Sequence, residues 1–442
     1  MMGQAGKAGL FAAMLALTAC GAAREEILPG QRLDPRAGTI LGSGEAPRAD
    51  RAAQISLGAP VSRADWPMVG AGRLHASGHN AFTTGAPALA WTASVGKGNT
   101  RKLRLTVDPV AAGGRVFAMD AESRLVALSA SGGGTLWSVD LTPPGERRGK
   151  AFGGTLAVAG PTLYATTGYG ELIALDVATG GIRWRQDLEA VGAAGISVHD
   201  GMVYVTAGDG QAWALDAGTG RVRWTLAGPE SVTRRVGAAS PVVTDQLVVF
   251  PFASGDLYAS FRKGGMRYWT ASIAGQRPGV VYANVSDITS DPVVVGERLY
   301  VGNQAGRYAA FDLGTGERIW TADEGAYSPA SVVGGSVFIV TDRNELVRLS
   351  AATGERIWGA QLPYFTTDKP RKRKTVFAHY GPVAAGGRIW VASDDGTLRG
   401  FDPATGALSA SVALPEGAAS DPIVVGGVMY VLLENGSLAA LR

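Results

Sequence analysis

Four histidines, one cysteine and a recurrent glycine-rich loop are the features of this 442-residue chain that could do chemistry. His75 and His79, in "HASGH", stand four residues apart, a spacing that on a helix turns two imidazoles toward one metal ion. Gly78 and the turn-like composition around it argue against a helix, so no metal site is expected there. His199 and His379 stand alone in the sequence. A Gly-x-Ser-x-Gly elbow, a phosphate-binding P-loop and a Cys-x-x-Cys pair are all absent, so the usual nucleophile, nucleotide and redox signatures are missing. No catalytic residue and no cofactor is expected.

The glycine-rich loop is copied. "ALDAGTGRVRW" ends at Trp224, "ALDVATGGIRW" at Trp184, "AFDLGTGERIW" at Trp320 and "RLSAATGERIW" at Trp358, with weaker copies ending at Trp137 and Trp269. "GFDPATGALSA" places Ala410 in the tryptophan slot. Glycine recurs four residues before each slot, at Gly133, Gly180, Gly220, Gly265, Gly316, Gly354 and Gly406. A catalytic loop occurs once, whereas a turn that builds a repeat is copied. The Asp supplies an acceptor for its own turn and the Gly tolerates positive φ. The six tryptophans are expected to wedge each unit against its neighbour.

Stepping from slot to slot, and counting Trp91 as the first, the mean spacing is about 46 residues, slightly above the ~40 to 45 of a four-stranded propeller blade. Each period reads as four short strands parted by Gly-containing turns, as in "SDPVVVGERLYVGNQAGRYAAFDLGTGERIW" from Ser290 to Trp320. After the Ala410 slot only three strands remain before Arg442. The missing fourth is an orphan around Trp91, with Pro87 where the glycine should stand. The expected fold is all-β: an eight-bladed β-propeller of four-stranded antiparallel blades, occupying 66–442 and closed when the N-terminal strand completes the last blade.

The N-terminus, "MMGQAGKAGLFAAMLALTAC", has one cation, a short apolar run and small residues before Cys20, the only cysteine. It reads as an export signal over residues 1–19, with a plain secretory signal and an incidental cysteine as the alternative. Residues 20–65, rich in Ala, Gly, Pro and Arg, are expected to be a flexible tether; "REEILPGQR" within it could instead dock on a partner. Formal net charge is only +3, with 18% charged residues, so a nucleic-acid surface is excluded.

"LTAC" resembles the lipobox of bacterial lipoproteins, which implies acylation of Cys20. The absence of aspartate after that cysteine matches lipoproteins sorted to the outer membrane. Asp-x-x-Thr-Gly-x-x-x-Trp resembles the docking motif of pyrroloquinoline-quinone-type propellers. Together with the lipobox, the eight expected blades and "DWPM" at Asp65 to Met68, it is similar to the BamB family of outer-membrane protein assembly factors. That resemblance implies a non-enzymatic scaffold, lipid-anchored in the outer membrane and facing the periplasm. It would bind BamA and other subunits of that assembly complex, and assist delivery of unfolded outer-membrane proteins. It places the BamA contact on "PESVTRRVGAASP" and "YANVSDITSDP", with Arg235 or Arg234 as the partner-binding arginine and Asp287 at one of two acidic positions. Thr289 stands at the other, a departure from the family pattern. A quinoprotein dehydrogenase is the alternative within the same superfamily, but those enzymes commonly carry a vicinal cysteine pair that this chain lacks. One further stretch, "DKPRKRKTVFAHY", packs five cations between Lys369 and Lys374 and suits a membrane, an acidic partner or plain solvent.

Overall fold

The computed structural model describes residues 50–190, 194–229, 239–273, 275, 277 and 287–442. Cys20 and the partner-binding candidates Arg234 and Arg235 lie outside the described residues.

Eight four-stranded antiparallel sheets make an eight-bladed propeller. Blades 1 to 7 span 110–140, 156–187, 195–227, 242–272, 293–322, 331–361 and 379–413. Blade 8 takes three strands from 423–441 and its outermost strand, Leu89–Ser94, from the other end of the chain. Thr92 pairs with Ala439 and Ser94 with Ser437, so the ring is sealed by a ladder between residues nearly 350 positions apart.

Each blade follows from one local rule. Inner strands are continuous apolar runs, such as "VVFP" within Leu247–Pro251, because both faces are covered by neighbouring blades. Outer strands alternate, as in Val222–Ala227, since one side meets water. Between the third and fourth strands of blades 1 to 7 a bulge shifts the register just before the tryptophan slot. In blade 3 the Asp216 carboxylate accepts the amide of Gly218 at 3.1 Å and both the amide and the hydroxyl of Thr219 at 2.9 Å. Gly220 then turns with φ near +74°.

The core is divided among the blade interfaces. Trp184 of blade 2 faces Gly220 of blade 3 so closely that a Cβ there would stand 2.7 Å from the indole. Its N–H donates to the Ala217 carbonyl at 3.2 Å. The same pairing recurs for Trp137 with Gly180, Trp224 with Gly265, Trp269 with Gly316, Trp320 with Gly354 and Trp358 with Gly406. Trp91 of blade 8 extends the series onto Gly133 of blade 1. Only the junction of blades 7 and 8 lacks it. There both partners are missing, Ala410 replacing the tryptophan and Pro87 the glycine. Phe82, from the segment before the first strand, packs into the cluster at this junction and meets Trp390 edge-on at 5.7 Å.

Candidate partner-binding face and central channel

Antiparallel strands joined in sequence place their connections alternately at two ends. The Asp-x-x-Thr-Gly turns and the first hairpin of each blade therefore share one face of the ring. The second hairpin and the links between blades share the other. The links are where the repeat breaks down, so they carry the sequence that is particular to this chain.

Two of the candidate partner-binding residues fall at the described end of the link between blades 4 and 5, and both are buried. Asp287 is 2% exposed and Thr289 6%. The Thr289 hydroxyl donates to the Ala326 carbonyl at 2.5 Å, tying this link to the one that follows blade 5. Arg277, in the same link, donates to Asp342 Oδ1 and to the Asp323 carbonyl, both at 3.0 Å. Asp287 and Thr289 thus offer almost no exposed surface, and Thr289 lines the central cavity. The sequence offers no sign of this: Asp and Thr in a Gly/Ser-rich loop read as solvated.

The innermost strands surround a cavity of about 670 Å³. Its floor is the segment before the first strand, with Trp66, Val69, His75 and Ser77 lining it. That segment crosses the ring by backbone bonds to one blade after another. Ala53 donates to Ala404 of blade 7, Trp66 pairs with Ala111 of blade 1, and Pro67 accepts from Val158 of blade 2. Arg73 then accepts from Val243 of blade 4, Leu74 from Val294 of blade 5, and Asn80 donates to Ala384 of blade 7. From Asp50 on, the stretch whose composition reads as tether is therefore held on the ring. Ile55 and Leu57 pack against the core between blades 6 and 7, and Arg348 donates to the Ala53 carbonyl at 2.6 Å.

His75 is buried in this floor, its Nδ1 2.8 Å from the Pro292 carbonyl and its Nε2 3.3 Å from the Ser197 hydroxyl. Burial lowers its pKa and favours the neutral ring, opposed by the Asp291 charge and the bond to Pro292. His79 points elsewhere, bonding Gly58 and accepting the Gly387 amide at 3.0 Å. The "HASGH" pair diverges to separate blades.

Three Asp-Pro steps open innermost strands, at Asp108, Asp291 and Asp421, and all three carboxylates line the cavity. Each clasps the preceding blade. Asp108 accepts the Asp421 amide at 2.9 Å, Asp421 the Gly381 amide at 2.6 Å, and Asp291 the Ser240 amide at 2.6 Å. Asp421 also accepts from the Ser328 hydroxyl at 2.8 Å. Desolvation raises the pKa of Asp108 well above the ordinary value, helped by the Asp421 and Asp291 charges. Asp421 is pushed up to about 6, chiefly by desolvation. Among the described residues no group of three His, Cys, Asp or Glu side chains is placed to hold a metal ion.

A family model described as outer membrane protein assembly factor BamB matches residues 33–147, 121–360 and 367–442. The protein of that name from Legionella pneumophila (strain Paris) is 27% identical over 204 residues, 46% of this chain and 50% of its own. Its counterpart in Alkalilimnicola ehrlichii is 29% identical over 213 residues, 47% of this chain and 51% of its own. The chain spans about half the length of the curated relatives it matches. Among solved structures, BamB from Moraxella catarrhalis superposes with a TM-score of 0.67 at 18% identity, covering 80% of this chain and 99% of that one. Quinohemoprotein alcohol dehydrogenase from Comamonas testosteroni gives 0.63 at 14% identity, over 86% and 80%. At such identities the likeness is one of fold.

Proposed function

The chain belongs to the family of outer membrane protein assembly factor BamB, and on that premise we propose that it is a lipoprotein scaffold which binds BamA and assists insertion of β-barrel proteins into the outer membrane. The observation that carries this reading is the family match, which extends over all eight blades. In its mature form the chain is acylated at Cys20, anchored in the outer membrane and turned to the periplasm, with other subunits of the assembly complex and unfolded outer-membrane proteins as further contacts.

The geometry supports a binding role. A closed ring fixes the strand ends from which its links leave, and a fixed scaffold lowers the ordering cost of association. The proposed contact is the face bearing the links of blades 3 to 4 and 4 to 5. Arg235, with Arg234 as the alternative, supplies the guanidinium fork that grips a carboxylate of BamA. Asp287 and Thr289, both buried, act by fixing the described end of the second link, as the Thr289 to Ala326 bond illustrates.

Affinity capture from detergent extracts of the envelope tests the proposal. BamA should co-purify with the wild-type chain and be lost with Arg235→Glu or Arg234→Glu. Retention of BamA by both variants overturns the arginine assignment, and its absence from the wild-type capture overturns the scaffold reading.

A further inference from the structure

The link from blade 6 to blade 7 is a structured finger rather than a simple connection. Phe377 donates to the Tyr364 carbonyl at 2.9 Å, Phe365 and Val376 pair as an antiparallel bridge, and Thr366 donates to Thr375 at 3.2 Å. A 3-10 turn at Pro370–Lys372 caps the finger. Its base is clamped by Asn344, whose Nδ2 donates to both sides of the hairpin, to the Pro363 carbonyl at 3.2 Å and the Phe377 carbonyl at 2.8 Å. His379 adds a bond from Nε2 to Pro363 at 2.8 Å.

Lys369, Arg371, Lys372, Arg373 and Lys374 are all exposed at its tip. None of them is in a salt bridge among the described residues. Arg373 covers the Phe365 ring at 4.9 Å. Phe365 remains 37% exposed on the flank, whereas Val376, 49% exposed, lines the central cavity. Uncompensated cations beside exposed apolar side chains are the makings of an interfacial contact.

We propose that this finger docks on an anionic phospholipid surface. Five exposed cations within six residues, beside the exposed Phe365 ring, suit a layer of headgroup phosphates over hydrocarbon. Placement agrees. Asp50, where the N-terminal segment meets the ring, accepts from the Gly359 amide and from Arg356 Nε, both at 3.1 Å. These residues lie in Arg356–Gln361, the strand that runs straight into the finger. The thirty residues from Cys20 to Asp50 reach at most about 100 Å. That reach would let an acyl chain at Cys20 enter the membrane on which the finger docks, the pairing of a lipid with a polybasic patch that makes anchoring durable. The inference goes beyond BamA binding and stands whether or not that binding is found.

The test is vesicle co-sedimentation of the full chain carrying Cys20→Ala, so that no acyl chain contributes. Vesicles of phosphatidylcholine are compared with vesicles containing about one-third phosphatidylglycerol. Binding should appear on the anionic vesicles, weaken with salt, and fall about a hundred-fold in K369E/R371E/K372E. Phe365→Ser should reduce binding with no change in salt dependence. Circular dichroism checks that the variants keep the ring, and K369Q/R371Q/K372Q provides a milder substitution at the same sites. Equal binding to both vesicles, or undiminished binding by the charge variants, overturns the proposal and leaves an acidic protein as the occupant.

Discussion

Trp358 of blade 6 lies against Gly406 of blade 7 so closely that a methyl group on the glycine would stand 2.7 Å from the indole. The indole N–H donates to the Pro403 carbonyl at 3.2 Å in the same turn. Knob, socket and acceptor are thus supplied by one motif copied along the chain, each copy giving the socket to the blade before and the knob to the blade after. Trp358→Ala should cost about 3 to 5 kcal/mol. Gly406→Ala should also destabilise, by about 1 to 3 kcal/mol, since its φ of +74° strains any side chain there. Ala410→Gly, in the slot that has no knob, should cost about 1 kcal/mol. Urea unfolding of the three variants checks the order.

Closure of the ring can be tested on the strand Leu89–Ser94. Val95 donates to the Gly436 carbonyl at 2.8 Å, so alternate amides toward Ala93 face the Ser437–Leu441 strand while that of Thr92 faces outward. Ala93→Pro should therefore cost about 3 kcal/mol, and Thr92→Pro much less. Equal losses in thermal unfolding would contradict the closing role of this ladder.

The carboxylates of the channel predict an unusual pH dependence. Asp421 is raised to about 6 from 3.8 and Asp108 is raised as well. Between those values the folded chain binds more protons than the unfolded one, so stability from these groups is present below about pH 4 and is lost as pH rises through 6. Asp421→Asn keeps an acceptor for Gly381 and Ser328 but cannot ionise. Its stability relative to wild type should increase from pH 4 to pH 7, read as the difference in denaturant midpoints.

What repeats was legible beforehand, because a turn such as Asp216 to Gly220 makes its bonds within itself and declares them by residue type. The blade count, the orphan strand and the unmatched Ala410 and Pro87 all follow from counting such turns. What occurs once was not legible. Residues 50–65 read as tether because their grip on the ring, through backbone bonds and scattered side chains such as Asp50, Ile55 and Leu57, follows no strand or helix period. Thr289 reads as a surface residue because its partner, the Ala326 carbonyl, comes from the next link along the chain. The Asp-Pro steps at 108, 291 and 421 do not declare their role by residue type, because each reaches to the preceding blade.

The floor of the channel is the part of the fold least supported by the repeat, and His75 is its anchor, bonded to Pro292 at the entry of blade 5 and to Ser197 of blade 3. Burial holds its pKa below 6.5, so its contribution is present above pH 6.5 and is lost as pH falls through the folded value. This runs opposite to the Asp421 effect, and location separates the two. Loss of the His75 bonds should loosen residues 66–88 before the blades, because outside the Leu89–Ser94 ladder those residues join no blade sheet. His75→Ala should leave two buried partners unsatisfied at about 1 to 3 kcal/mol. Amide exchange in 66–88 should rise markedly at neutral pH, while exchange in the inner strands changes little. Acidification of the wild type to pH 5 should mimic the variant in that segment, and a variant whose exchange is already high should show no further rise. Uniform change across blades and floor would mean that the segment is an integral part of the ring and not a separable plug.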